Sequence, residues 1–124
     1  MAAYTTVDDA GSFFSAELFT GTGSSHAITG IGFQPDMVWI KDRDDTENHV
    51  LTDAVRGATE TLYPNDSGAT VTIAEGLKSF DSDGYTLGTS YLFNDSGEDY
   101  ASWNWKMGTT SGLSGGTLTP DAYS

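Results

Sequence analysis

No cysteine occurs in the 124 residues, so disulfides and thiolate-held metals are excluded and nothing reports on a redox compartment. Basic residues are scarce too, five against eighteen acidic ones, a formal net charge of −13. Such a field repels phosphate backbones and anionic lipid surfaces, which argues against nucleic acid as a partner. No apolar run approaches a membrane span, so membrane insertion is not expected either. Met1–Ala2–Ala3–Tyr4 has neither the basic start nor the apolar core of a signal peptide, which predicts synthesis in a cytoplasm. Proline is rare, three residues against fifteen glycines, so glycine and Asx residues must make most of the turns. A long amphipathic helical stripe is also missing; the best helical stretch, Thr52–Ala58, predicts at most a turn.

What is present is alternation with a period of two. In Tyr100–Met107, Ala101, Trp103, Trp105 and Met107 fall on one side and Tyr100, Ser102, Asn104 and Lys106 on the other. The bulk of the two indoles predicts that theirs is the inner face. Asp36–Lys41 is apolar on both faces at its centre, the pattern of a central strand covered on both sides, with Pro35 just before it. Asn48–Asp53 is a third strand, with Val50 and Leu51 buried on opposite faces. Weaker strands are Ser15–Thr20, His26–Ile31, Thr70–Ile73, Leu77–Phe80 and Tyr85–Thr89. Between them stand turn sequences such as Asp81-Ser-Asp-Gly84 and Asn94-Asp-Ser-Gly97.

Short strands at close spacing predict an all-β fold, an antiparallel β-sandwich. Phe33, Trp39, Phe80, Trp103 and Trp105 are the expected core, at about 1.5–3 kcal/mol for each large buried side chain. Asp53 and Arg56 are placed to pair across a tight turn closed by Gly57. Residues 1–107 read as one module, and 108–124 as a Gly/Ser/Thr-rich linker or tail. Thr117–Ser124 echoes Thr5–Ser12, with Asp, Ala and Ser in register, as though a second copy of the module began there.

Four blocks follow one another in a recognisable order: Gly32-Phe-Gln-Pro-Asp-Met-Val-Trp-Ile-Lys41, His49-Val-Leu-Thr-Asp-Ala-Val-Arg-Gly57, Leu77-Lys-Ser-Phe-Asp-Ser-Asp-Gly-Tyr-Thr-Leu-Gly88 and Tyr100-Ala-Ser-Trp-Asn-Trp-Lys106. Together they resemble the repeat module of phage tail-fibre and other virion structural proteins, over roughly Tyr4 to Met107. The resemblance implies a lectin-like (concanavalin/laminin-G-like) jelly roll, displayed on a virion as a tail appendage or capsid decoration. Its implied partners are other virion proteins, copies of itself and a host cell-surface glycan. A carbohydrate-binding, receptor-binding domain is the alternative that the resemblance leaves open.

Aromatics near loops are the expected contact residues for a sugar or a partner: Tyr63, Tyr85, Tyr91 and Phe93, with Tyr100 on the outer face of its strand. Asp81-Ser-Asp83-Gly84 begins like a calcium loop, which makes Asp81 and Asp83 candidate ligands for Ca2+. The bidentate Glu of an EF-hand is missing downstream, and Asx residues build such turns unaided, which favours plain turn chemistry and no cofactor. Asp42, Asp44 and Asp45 form a second acidic cluster around Arg43. His26 and His49 lack partners at metal or triad spacing, and no Gly-x-Ser-x-Gly elbow stands between a strand and a helix, so no catalytic residue is assigned and no enzyme activity is expected.

Overall fold

Every strand pair among the described residues, 9–107 of a computed structural model, runs antiparallel. A 3-10 turn at Ala10–Ser12 leads into β1 (Phe14–Thr20), β2 (His26–Ile28), β3 (Met37–Asp42), β4 (Val50–Asp53), β5 (Glu60–Leu62), β6 (Val71–Thr72), β7 (Leu77–Asp81) and β8 (Gly84–Leu87). One helical turn, α1 (Tyr91–Asn94), then precedes β9 (Asp99–Trp105). A six-stranded sheet has the order β1-β9-β3-β4-β5-β6, and a three-stranded sheet the order β2-β8-β7. The fold is all-β, two antiparallel sheets enclosing one core.

That core is built by alternate residues. Val38, Ile40, Val50 and Tyr100 of the large sheet join Ile28, Leu77, Tyr85 and Leu87 of the small one, with Ile31, Phe33, Leu92 and Phe93 closing the ends. Phe80 is half-buried and packs against it. The inner face also carries polar residues: Thr52, Thr61, Ser102 and Asn104 are all buried. Tyr85 Oη donates to Ser102 Oγ at 2.8 Å, and Asn104 Nδ2 reaches Ser15 O at 3.2 Å, so much of this polarity is satisfied internally.

β9 therefore lies the other way round from the expectation. Tyr100, Ser102 and Asn104 face the core, and Trp103 and Trp105 are half-buried on the outer face. Period-two alternation sorts residues into two sets but does not say which set points inward. Bulk was the wrong guide, because the small sheet supplies Tyr85, whose hydroxyl needs a polar partner on the facing strand. The same correction removes Trp39 from the core: β3 buries Val38 and Ile40 and leaves Trp39 half-exposed on the outer face. Among the described residues, only one face of β3 is packed against a second sheet.

Three elements were not foreseen, the 3-10 turn at Ala10–Ser12, β5 and α1. β5 is three residues long and follows Thr59, which has a positive φ of 72° without being glycine. α1 is a single turn, too short for a helical period to register. Thr52–Ala58 is the end of β4 and a turn, in which Asp53 pairs with Arg56 and accepts its backbone N–H at 2.8 Å. The boundary drawn at residue 108, the tail beyond it and the echo at Thr117–Ser124 lie outside the described residues.

Candidate functional site

Strand register gathers the tryptophans. β9 pairs with β3 so that Trp103 lies opposite Trp39, and with β1 so that Trp105 lies opposite Phe14. All four side chains project from the outer face of the large sheet, where no second layer covers them among the described residues. The Trp39 and Trp103 rings meet nearly edge to face, 6.3 Å between centroids at 69°. Phe14 and Trp105 lie 5.3 Å apart at 56°. Leu18, 69% exposed, continues the apolar surface along β1. An exposed aromatic surface of this kind is a contact surface by default.

His49, just before β4, completes the arrangement. Trp39 Nε1 donates to His49 Nδ1 at 3.1 Å, and the rings lie 5.9 Å apart. An indole N–H can only donate, so Nδ1 is the accepting nitrogen of this bond. His49 N in turn donates to Asn65 Oδ1 at 3.0 Å, and Asn65 Nδ2 to Asn48 Oδ1 at 2.9 Å, which ties the segment down. Trp39, His49, Trp103 and Trp105 line an open cleft of about 290 Å³. Its walls are almost wholly apolar.

The tyrosines expected at loops divide into two groups. Tyr85 and Phe93 are core residues, 0% and 1% exposed, so neither is a contact residue, and Tyr100 is equally buried. Tyr100 Oη instead donates to Tyr91 O at 2.6 Å and accepts from Asp95 N at 2.8 Å, fastening the α1 turn to β9. Burial pushes the Tyr100 hydroxyl up to about 12, and Asp42, Asp95 and Glu98 nearby add to the rise. Tyr91 is exposed, and Tyr63 is half-buried and close enough for its hydroxyl to feel Tyr91. Neither of those two lines the tryptophan cleft.

Asp81 and Asp83 do not converge on a point. Asp81 accepts from the hydroxyls of Ser79 at 2.8 Å and Thr86 at 2.6 Å. Asp83 accepts the backbone N–H groups of Gly30 at 2.9 Å and Gly32 at 2.8 Å. Both glycines have positive φ, 86° and 91°, which turns their N–H groups toward one carboxylate. These bonds, Gly32 before Gly30, hold the Asp83 carboxyl below its ordinary value. Both carboxylates fasten the chain to itself, Asp81 within its own hairpin and Asp83 across to the segment after β2.

The carboxylates that do gather are Asp42, Asp44 and Glu98, with one oxygen of each within 4.8 Å of the others. A hard cation would accept such a donor set. Much of it is already engaged: Asp42 Oδ1 accepts the N–H groups of Asp44 and Asp45, and Asp44 Oδ2 that of Asp99 at 2.7 Å. Desolvation, then repulsion from Asp42, Asp44, Asp95 and Asp45, pushes the Glu98 carboxyl up. His26, the other histidine, is structural: its Nδ1 lies 3.2 Å from Oδ1 of Asn94, a buried amide that also donates to Gly88 O and Ser24 O.

One family model, described as a domain of unknown function (DUF7483), matches residues 9–122. The chain belongs to that family. No curated protein and no solved structure matches it.

In this DUF7483 domain three of the four cleft residues are ones the sequence places in the core, and the fourth, His49, falls in a predicted strand with no partner at metal or triad spacing. The available signal was the polarity of the alternate set on β9. Ser102 and Asn104 flank Trp103, and their need for buried hydrogen-bond partners equals their need for solvent, so polarity alone leaves the direction open. Cross-strand register puts Trp103 beside Trp39 on one face, and the bond from Tyr85 to Ser102 turns the other face inward.

Proposed function

We propose that the chain is a non-enzymatic module of a phage particle's exterior, on a tail appendage or as a capsid decoration, and that it works by contact through the outer face of its large sheet. The observation that carries this reading is the apolar outer face on which exposed Phe14 and Leu18 join half-buried Trp39, Trp103 and Trp105 on an antiparallel frame. Soluble monomers rarely leave such a surface uncovered without a use for it. The four-block resemblance to virion repeat modules supplies the particle, and the lectin-like jelly-roll form belongs to the same proposal. An acidic surface keeps many copies soluble at high local density, and multiple display turns weak contacts into avidity. Neighbouring virion proteins and further copies of the chain are the first partners.

Carbohydrate-binding receptor recognition is the second reading, because sugar rings stack on indoles. It needs hydrogen-bonding groups at the rim, and the nearest amides, Asn48 and Asn65, already bond each other. Electron cryomicroscopy of purified particles tests the first reading. Copies on the exterior, with the tryptophan face seated on a neighbour or turned outward, support it. Absence of the chain from the particle would end it.

A further inference from the structure

We propose that the cleft of Trp39, His49, Trp103 and Trp105 is a binding site for a quaternary ammonium group of the choline type. The inference does not depend on the particle reading above, since it rests on the cleft alone. Three features favour this ligand class.

The first is wall geometry. Trp39 and Trp103 both line the cleft and stand at 69° to each other with centroids 6.3 Å apart, so its walls are not one flat shelf. Indole is the strongest aromatic partner for a cation. A cleft of about 290 Å³ lies at the lower end of small-molecule sites and suits a headgroup rather than an extended chain.

The second is the shortage of hydrogen-bonding groups. The acceptor nitrogen of His49 is already taken by Trp39 Nε1. A primary ammonium entering this cleft would leave its N–H donors without partners, at a high desolvation cost. A tetra-alkylated ammonium has no N–H to satisfy. A sugar faces the same shortage in several hydroxyls.

The third is sign. The chain carries a net charge of −13, so its long-range field draws cations and repels anions. The chain's own nearby cations are engaged elsewhere. Lys41 bonds the carbonyls of Asp42 and Asp45, and Arg56 pairs with Asp53. Lys106, next to Trp105, lies 5.9 Å from the Phe13 ring centroid, so this end of the sheet already seats one cation on an aromatic face.

The test is a nuclear magnetic resonance titration of the full chain, following the tryptophan side-chain N–H signals. The probes are choline, tetramethylammonium, the neutral tert-butyl analogue of choline, and a methyl pyranoside. Choline and tetramethylammonium are expected to give saturable shifts of the Trp39, Trp103 and Trp105 signals. The neutral analogue, equal in shape, should bind at least about fivefold more weakly. Trp103→Phe should weaken choline binding several-fold while the remaining spectrum stays that of the folded chain. Equal binding of choline and its neutral analogue would overturn the proposal, as would preference for the pyranoside. Absence of saturable shifts with either cation on the folded wild-type chain would overturn it too.

Discussion

Tyr85 Oη and Ser102 Oγ, 2.8 Å apart, form a buried hydrogen bond that joins the small sheet to the large one through the middle of the core. This contact fixes which face of β9 points inward, and so which face shows its indoles. Tyr85→Phe removes the donor but keeps the ring. A loss of about 1 kcal/mol in chemical denaturation is expected, since Ser102 keeps its bond from Asn104. Tyr85→Ala empties the site and should cost about 3–5 kcal/mol, by analogy with large aromatic truncations.

The phenols of Tyr85 and Tyr100 link folding to alkaline pH. Burial raises both, so above about pH 10 the unfolded chain releases protons that the folded chain retains. Stability is then full below pH 10 and falls as pH rises through the folded-state values. Thermal melts between pH 9 and about 12 should show a steep loss, and Tyr100→Phe should flatten part of it. An unchanged slope in that variant would show that Tyr100 does not contribute.

Asp83 acts at the opposite end of the scale. Its carboxyl is held below the usual 3.8, so its contribution is present above that pH and is lost as pH falls through the lower folded-state value. Asp83→Asn should melt earlier than wild type at neutral pH, with the gap closing in acid. A gap independent of pH would mean that the carboxylate charge is not what holds Gly30 and Gly32.

Thr52 Oγ1 is buried with no hydrogen-bond partner among the described residues. Thr52→Val replaces that hydroxyl by a methyl of similar shape. Denaturation should show a neutral effect or a gain of up to about 1 kcal/mol, because an unsatisfied buried hydroxyl costs on that order.

Gly84 leaves no room for a side chain, since a Cβ there would lie 1.8 Å from Ile28 O. Gly84→Ala must push β8 from β2 and should cost about 1–3 kcal/mol or prevent folding. Circular dichroism with a urea melt reads this directly.

These contacts mark how far the sequence could be read. Local apolar patterning located eight of the nine strands among the described residues, because alternation and short apolar runs are local properties of the chain. The Asp53–Arg56–Gly57 turn was legible for the same reason: its partners lie three and four residues apart. The direction of β9 was not. It depends on Tyr85 and Trp39, fourteen or more residues away, and the amphipathic character of Tyr85 reversed the simple rule that the largest side chains go inside. The cleft was hidden with it, since its four residues come from three separate stretches of chain. Asp81 and Asp83 were flagged by spacing alone, which does not show that their oxygens already serve Ser79, Thr86, Gly30 and Gly32.

The central claim is that the outer tryptophan face is the working surface, and paired variants in the intact particle test it most directly. Trp103→Ser alters that face; Tyr91→Ser alters an exposed aromatic elsewhere; both are first checked for wild-type melting. Particles with Trp103→Ser are expected to lose the module or fail to adsorb, and those with Tyr91→Ser to behave as wild type. Normal assembly and adsorption with Trp103→Ser, beside a defect with Tyr91→Ser, would contradict the account and move the contact surface to the α1 end of the fold.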